Sequence, residues 1–285
     1  MLRIFTLLSI LTLLTSVAAQ DEPVTIPNPT PPSFPGPTQD YMREIYTLGQ
    51  SLGRQADVFI KVGDSATASP TFLTPIGDAA YDLAGYTDLQ GVVDFYSATP
   101  LRNGNSFNNQ SLASGVGWTA AGPTNPDYRD RAACERSESP LQCAVRVNNP
   151  SVALVMLGTN EVSYMSVDDY LTNMGRLIDE AVELGVIPVI STIPPRRGND
   201  EKVAAYNEAL RTFTTERRVP LWDYAAVLAT APDDGMMADR IHPSSPPGNA
   251  FRGSATFTPD NLIYGFTLRN LTALQTLAAV RAVVG

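Results

Sequence analysis

Histidine is almost missing from this chain: 285 residues hold one, His242. Any imidazole base must therefore be this residue, and a metal centre built on several histidines is excluded. Cysteine is nearly as scarce, with Cys134 and Cys143, in CERSESPLQC, the whole supply. A zinc site would need further ligands, so the pair reads as one disulfide closing a short loop. Positive charge is also short: 20 Lys and Arg stand against 29 Asp and Glu, a net charge of −9. A nucleic-acid binder needs a basic face, and this composition supplies none. The long apolar run is confined to residues 1–19, MLRIFTLLSILTLLTSVAA, which begin near Arg3 and end in the small residues Val17-Ala18-Ala19. That is the pattern of a cleaved secretory signal peptide, since the run is short against the ~20 residues of a membrane span and already contains Ser and Thr. No cysteine lies near the junction to accept a lipid. A secreted or cell-surface protein without a membrane span after cleavage is expected.

Residues 20–38, QDEPVTIPNPTPPSFPGPT, are rich in proline. They read as an extended, solvated linker. Residues 39–285 then suit one domain with a sizeable core. Within it, Tyr41, Ile45, Leu48 and Leu52 stand at helical spacing over 39–54. Strands are predicted at 58–62, 106–113, 151–157, 186–193 and 219–222. Helices are predicted at 168–184, 201–217 and 271–283, with a short helix or turn near 82–95. Apolar strands alternating with helices argue for an α/β fold with a mainly parallel five-stranded sheet covered on both faces. Sites in such sheets gather beyond the carboxyl ends of the strands.

Ser65 stands just past the first strand, in Gly63-Asp64-Ser65. It is either a helix cap or a nucleophile delivered to that edge, with Gly63 easing the turn. The lipase elbow G-x-S-x-G is not met there, because Thr67 replaces the second glycine. Asp239 precedes His242 by three residues, a spacing that on a turn sets a carboxylate against the imidazole and fixes its tautomer. Acyl transfer also needs donors for an oxyanion. Asn160, in Gly158-Thr159-Asn160-Glu161 after the third strand, offers a side-chain N–H. Gly115 or Gly117, in SGVGWT, offers a backbone N–H, and the Ser65 amide is a third.

These four blocks, in this order over residues 57–245, resemble the SGNH hydrolases, also called the GDSL esterase/lipase family, in an exported bacterial-type branch. The resemblance implies a flavodoxin-like three-layer α/β/α sandwich. It implies a secreted serine esterase that removes an O-acyl group, such as acetyl or a short acyl, from a carbohydrate or small molecule, without cofactor or metal. Carried over by position, Ser65 becomes the nucleophile, His242 the base and Asp239 the orienting carboxylate. Ser65, Gly117 and Asn160 become the oxyanion donors, with Gly115 the alternative to Gly117. Glu161 departs from the family, which has Asp there, and this predicts rearranged supporting hydrogen bonds rather than a dead site. A non-catalytic, surface-tethered binding module on the same fold is the competing reading. Trp118 either stacks on a sugar ring or packs in the core, and Arg196 and Arg197 either meet an acidic group or form a solvated turn. Asn109-Gln110-Ser111 and Asn270-Leu271-Thr272 match the glycosylation acceptor pattern, which has meaning only in a eukaryotic host.

Overall fold

A computed structural model of the protein describes residues 26–285. The expected signal peptide at 1–19 lies outside the described residues. Five strands form one all-parallel sheet: β1 (Gln55–Gly63), β2 (Ala113–Ser114), β3 (Pro150–Met156), β4 (Ile187–Ser191) and β5 (Leu221–Trp222), in the order β2-β1-β3-β4-β5. This is the flavodoxin-like order, whose switch point lies between β1 and β3. Every residue of β3, PSVALVM, is buried, which explains why an unbroken apolar run rather than an alternating one marks it.

The helices, in chain order, are α1 (Gly36–Ser51), α2 (Ser65–Ala68), α3 (Thr74–Gly77), α4 (Gln90–Ser97), α5 (Pro140–Asn148), α6 (Val167–Glu183), α7 (Asp200–Arg217), α8 (Tyr224–Leu228), α9 (Ala250–Gly253) and α10 (Gly265–Val284). Helices α1, α4, α8 and α10 pack together on one face of the sheet, and α5, α6 and α7 cover the other. The result is a three-layer α/β/α sandwich.

Several elements differ from the sequence reading. The second strand is two residues, not 106–113. Asn105 Oδ1 accepts from Phe107 N–H at 3.0 Å, and Asn108 Oδ1 accepts from Asn105 N–H at 2.7 Å. These local side-chain bonds give the backbone an alternative to a ladder. The last helix starts at Gly265, not 271, because it is buried on nearly all sides and carries no amphipathic stripe to mark its start. The proline-rich stretch is packed in part rather than solvated throughout. Phe34 joins the core at 6% exposure, and Gln275 Nε2 donates to Pro29 O at 2.9 Å. Both glycosylation patterns fall on buried side chains, Asn109 at 6% and Asn270 at 0% exposure. Asn270 is structural: it accepts from Leu73 N–H and donates to Thr71 O and Ser254 O, all between 2.8 and 2.9 Å.

Candidate active site

The turn after β1 is built by its own residues. Asp64 caps α2, its Oδ1 accepting from Ala66 N–H at 3.0 Å, so Ser65 is the first helical residue. Gly63 is required for space rather than for its dihedral freedom. A Cβ there would fall 2.2 Å from Thr67 Oγ1 and 2.6 Å from Met156 O of β3. The serine is thereby set at the β1/β3 switch point, on the carboxyl edge of the sheet. The chain does spell G-x-S-x-G once, at Gly49-Gln50-Ser51-Leu52-Gly53, but these residues end α1 before β1 begins. Ser51 Oγ is bonded back to Leu48 O at 2.7 Å, and the pattern belongs to the opposite edge of the sheet.

The histidine arrives on a tight loop. Asp239 Oδ1 accepts from Ile241 N–H at 2.9 Å and from His242 N–H at 3.1 Å, which folds the D-x-x-H segment around the carboxylate. Asp239 Oδ2 then lies 2.8 Å from His242 Nδ1, and His242 Nε2 lies 3.4 Å from Ser65 Oγ. Burial pushes the Asp239 carboxyl up, but the bond to the imidazole and the two amides more than offset this and hold it at about 2. The carboxylate therefore stays ionised across the neutral range. The 3.4 Å Ser–His separation is long for a hydrogen bond, as is common before substrate binds. The structure thus brings Ser65, Asp239 and His242 together.

The loop after β2 lies against the same edge. Gly115 N–H donates to Gly63 O at 3.1 Å, extending the strand pairing, so that amide is occupied. Gly117, at φ +77° in the left-handed region, is exposed, and among the described residues its N–H has no bonded acceptor. Asn160 Nδ2 donates to Trp118 O at 2.8 Å, tying this loop to the end of β3 and leaving its second N–H free. Trp118 is half-buried, edge-on to Tyr128 at 5.5 Å, and lines a cavity of about 240 Å³. Glu161 turns inward at 0% exposure, and its Oε1 accepts from Ala120 N–H at 2.6 Å. Burial pushes the Glu161 carboxyl up. The loop holding Arg196 and Arg197 reaches the histidine loop, with Arg197 N–H donating to Arg240 O at 2.8 Å. Cys134 and Cys143 are joined as a disulfide, which removes both sulfurs from any zinc site.

One residue at the site escaped the sequence reading. Arg269 of α10 is 1% exposed, donating through Nη1 to Ala66 O at 2.6 Å and through Nη2 to Thr67 Oγ1 at 2.9 Å. Its guanidinium lies 3.8 Å from the Phe72 ring centroid, a cation–π contact. Burial lowers its pKa to about 10, so it remains a cation at neutral pH. Arg269 thus grips α2 directly beyond the serine. Its signal was a lone charged residue in the apolar stretch GFTLRNLTALQTLAA.

A model of the GDSL-like lipase/acylhydrolase family matches residues 61–246. Among solved structures, the chain is similar to an acetylxylan esterase catalytic mutant from Geobacillus stearothermophilus, with 16% identity over 79% of this chain and 95% of that one and a TM-score of 0.47. It is similar to a carbohydrate esterase family 3 protein from Talaromyces cellulolyticus, with 18% identity over 79% and 99% and a TM-score of 0.47. It is also similar to a GDSL-like lipase from Bacteroides thetaiotaomicron, with 11% identity over 85% and 98% and a TM-score of 0.44. No curated protein sequence matches it. The family match spans well over half of the chain and encloses Ser65, Asn160, Asp239 and His242, so the chain belongs to the GDSL-like lipase/acylhydrolase family and is a carboxylic ester hydrolase.

Proposed function

We propose that the protein is a secreted serine esterase that removes an acetyl or short acyl group from a carbohydrate or small molecule. The observation that carries this reading is the line Ser65 Oγ–His242 Nε2–His242 Nδ1–Asp239 Oδ2, with spacings of 3.4 and 2.8 Å, at the switch point of the sheet. The Asp239 carboxylate can only accept, so the Nδ1 proton sits on the Asp239 side and Nε2 is left with a lone pair facing Ser65. His242 takes the Ser65 proton as Oγ attacks the ester carbonyl. Negative charge gathers on the carbonyl oxygen and meets N–H groups from Ser65, Gly117 and Asn160. His242 then passes its proton to the departing alcohol, and water repeats the sequence on the acyl-enzyme. The disulfide supports an oxidising destination, in keeping with export.

The deciding experiment is hydrolysis of p-nitrophenyl acetate and longer acyl esters by the purified protein and by Ser65→Ala and His242→Ala variants checked by circular dichroism. Wild-type turnover lost in both folded variants supports the serine mechanism, and the series ranks acyl lengths. Asn160→Ala is expected to lose ~10²–10³ in turnover, the usual loss for one oxyanion donor. Turnover that survives Ser65→Ala overturns the assignment of the nucleophile. A wild type inert on all esters and unreactive toward a serine-directed phosphonate would favour a binding role.

A further inference from the structure

A cavity of about 220 Å³ opens beside the Ser65 turn, between α2 and the loop that leads into β2. Lys61 of β1 lines it and is 5% exposed. Thr67, two residues past Ser65, and Ser114, paired in register with Gly63, line it as well and place it next to the Ser65 turn. The remaining lining is neutral, and no lining residue is acidic.

A buried ammonium is costly unless it is paired. Lys61 Nζ donates to Phe107 O at 2.7 Å, and among the described residues it forms no ion pair. Two of its three N–H groups remain. Thr67 Oγ1 accepts from Arg269 Nη2, so its own O–H is free to donate. Burial, and then the charge of Arg269, lower the Lys61 pKa to about 7. The cavity therefore concentrates donors and positive charge without a counter-charge of its own. A leucine or methionine would fill this strand position at lower cost.

Size and placement narrow what could enter. Pockets that enclose a whole small ligand run to ~300–1,000 Å³, so this one suits a substituent. The adjoining cavity of about 240 Å³ shares Gln110, Ser111 and Ser114 with it and is faced by Trp118 and Tyr128, giving room for the rest of the molecule. We propose that the Lys61 cavity is an anion subsite of the active site, which takes a carboxylate carried by the ester and so makes acidic esters the preferred substrate class. This inference rests on the esterase reading above.

Two matched ester pairs test it with purified protein. 4-Nitrophenyl hydrogen succinate against 4-nitrophenyl methyl succinate places the carboxylate on the acyl side. 4-Acetoxybenzoate against its methyl ester places it on the alcohol side. Wild type is expected to favour the acid of one pair by about tenfold or more in kcat/KM, the scale of one hydrogen bond to a charged group. Lys61→Met should erase that preference, with the acids losing at least about tenfold more in kcat/KM than their neutral partners. Equal rates on both pairs in wild type, or a preference that survives Lys61→Met, overturn the inference. Free succinate distinguishes a subsite from an effector site. Competitive inhibition weakened by Lys61→Met supports the subsite, whereas activation or non-competitive inhibition overturns it. If no ester is turned over and a serine-directed phosphonate does not react, the esterase reading fails and calorimetric titration with succinate decides the cavity separately. Binding in wild type that Lys61→Met loses retains the anion site, and no binding in wild type removes it.

Discussion

Arg269 shows how a residue outside every motif can govern the proposed nucleophile. Its two nitrogens hold the carbonyl of Ala66 and the hydroxyl of Thr67, immediately past Ser65. An arginine presents such donors in a rigid fork, and a lysine offers a single point of attachment. Arg269→Lys keeps the charge and much of the volume but satisfies one of the two partners. We expect kcat to fall about tenfold or more with KM little changed, since displacement of ~1 Å near the chemistry can cost 10²-fold. Phosphonate labelling of Ser65 should slow in step, while the urea midpoint moves less than in Arg269→Met. Equal losses in stability and activity across both variants would make Arg269 a packing residue only. The proposed triad of Ser65, Asp239 and His242 could be named from the sequence because each residue falls in a short block of local spacing. Arg269 could not, because it meets Thr67 across 202 residues and no local pattern encodes that contact.

Elements were legible where one force dominated. Strand β3 is a run of buried apolar residues, and α6 carries a clean apolar stripe with Ser166 accepting from Asp169 N–H as its cap. The failures came where side chains work in unusual ways. Asparagines consume the backbone where the second strand was expected, and α10 buries Arg269, Asn270 and Gln275 beside leucines. Helix α5 lies between these cases. Its start is written locally, with Pro140 in the first turn and a capping box between Ser139 and Gln142, and the disulfide then fastens Cys143 of the helix to the preceding loop. The two cysteines are nine residues apart in the sequence. Loop-closure entropy for a ring of this size gives about 2.5 kcal/mol of stabilisation. Reduction in the native buffer should lower unfolding free energy by roughly that amount in urea titrations. Turnover of p-nitrophenyl acetate at low urea should stay within about twofold, because the staple bears on neither the Ser65 turn nor the histidine loop. A reduced protein that keeps its stability but loses turnover would make the loop part of the site.

At the scale of the whole molecule, charge among the described residues is almost all at the surface, and the exceptions cluster. Lys61, Asp64, Glu161 and Arg269 are 5, 1, 0 and 1% exposed, and all four belong to the segments that assemble around the carboxyl ends of β1 and β3 or grip α2. Buried charges oppose folding, and natural chains keep them chiefly where function requires them. Lys61 gives the clearest test, because its pKa is about 7 in the native state, through burial and the charge of Arg269, against ~10.4 in an unfolded chain. Between these values the unfolded state holds a proton that the native state has released, so native stability must rise with pH across the window from about 7 to ~10. Below pH 7 both states are protonated and the cost of burying the charge is felt in full. Arg269, held at about 10 by its burial, begins to release its proton only at the top of the window, and it is present in wild type and variant alike. Lys61→Met removes the titration. Urea unfolding at pH 6, 8 and 10 should therefore show wild type gaining on the variant at each step. Parallel profiles would mean that Lys61 keeps its ordinary pKa on folding. Saturating succinate should flatten the wild-type gain, because a carboxylate seated in the cavity favours the protonated lysine and so raises stability most below pH 7, where Lys61 keeps its proton, and least toward pH 10. A flattening absent from Lys61→Met would tie the cost of the buried lysine to the ligand it is proposed to hold.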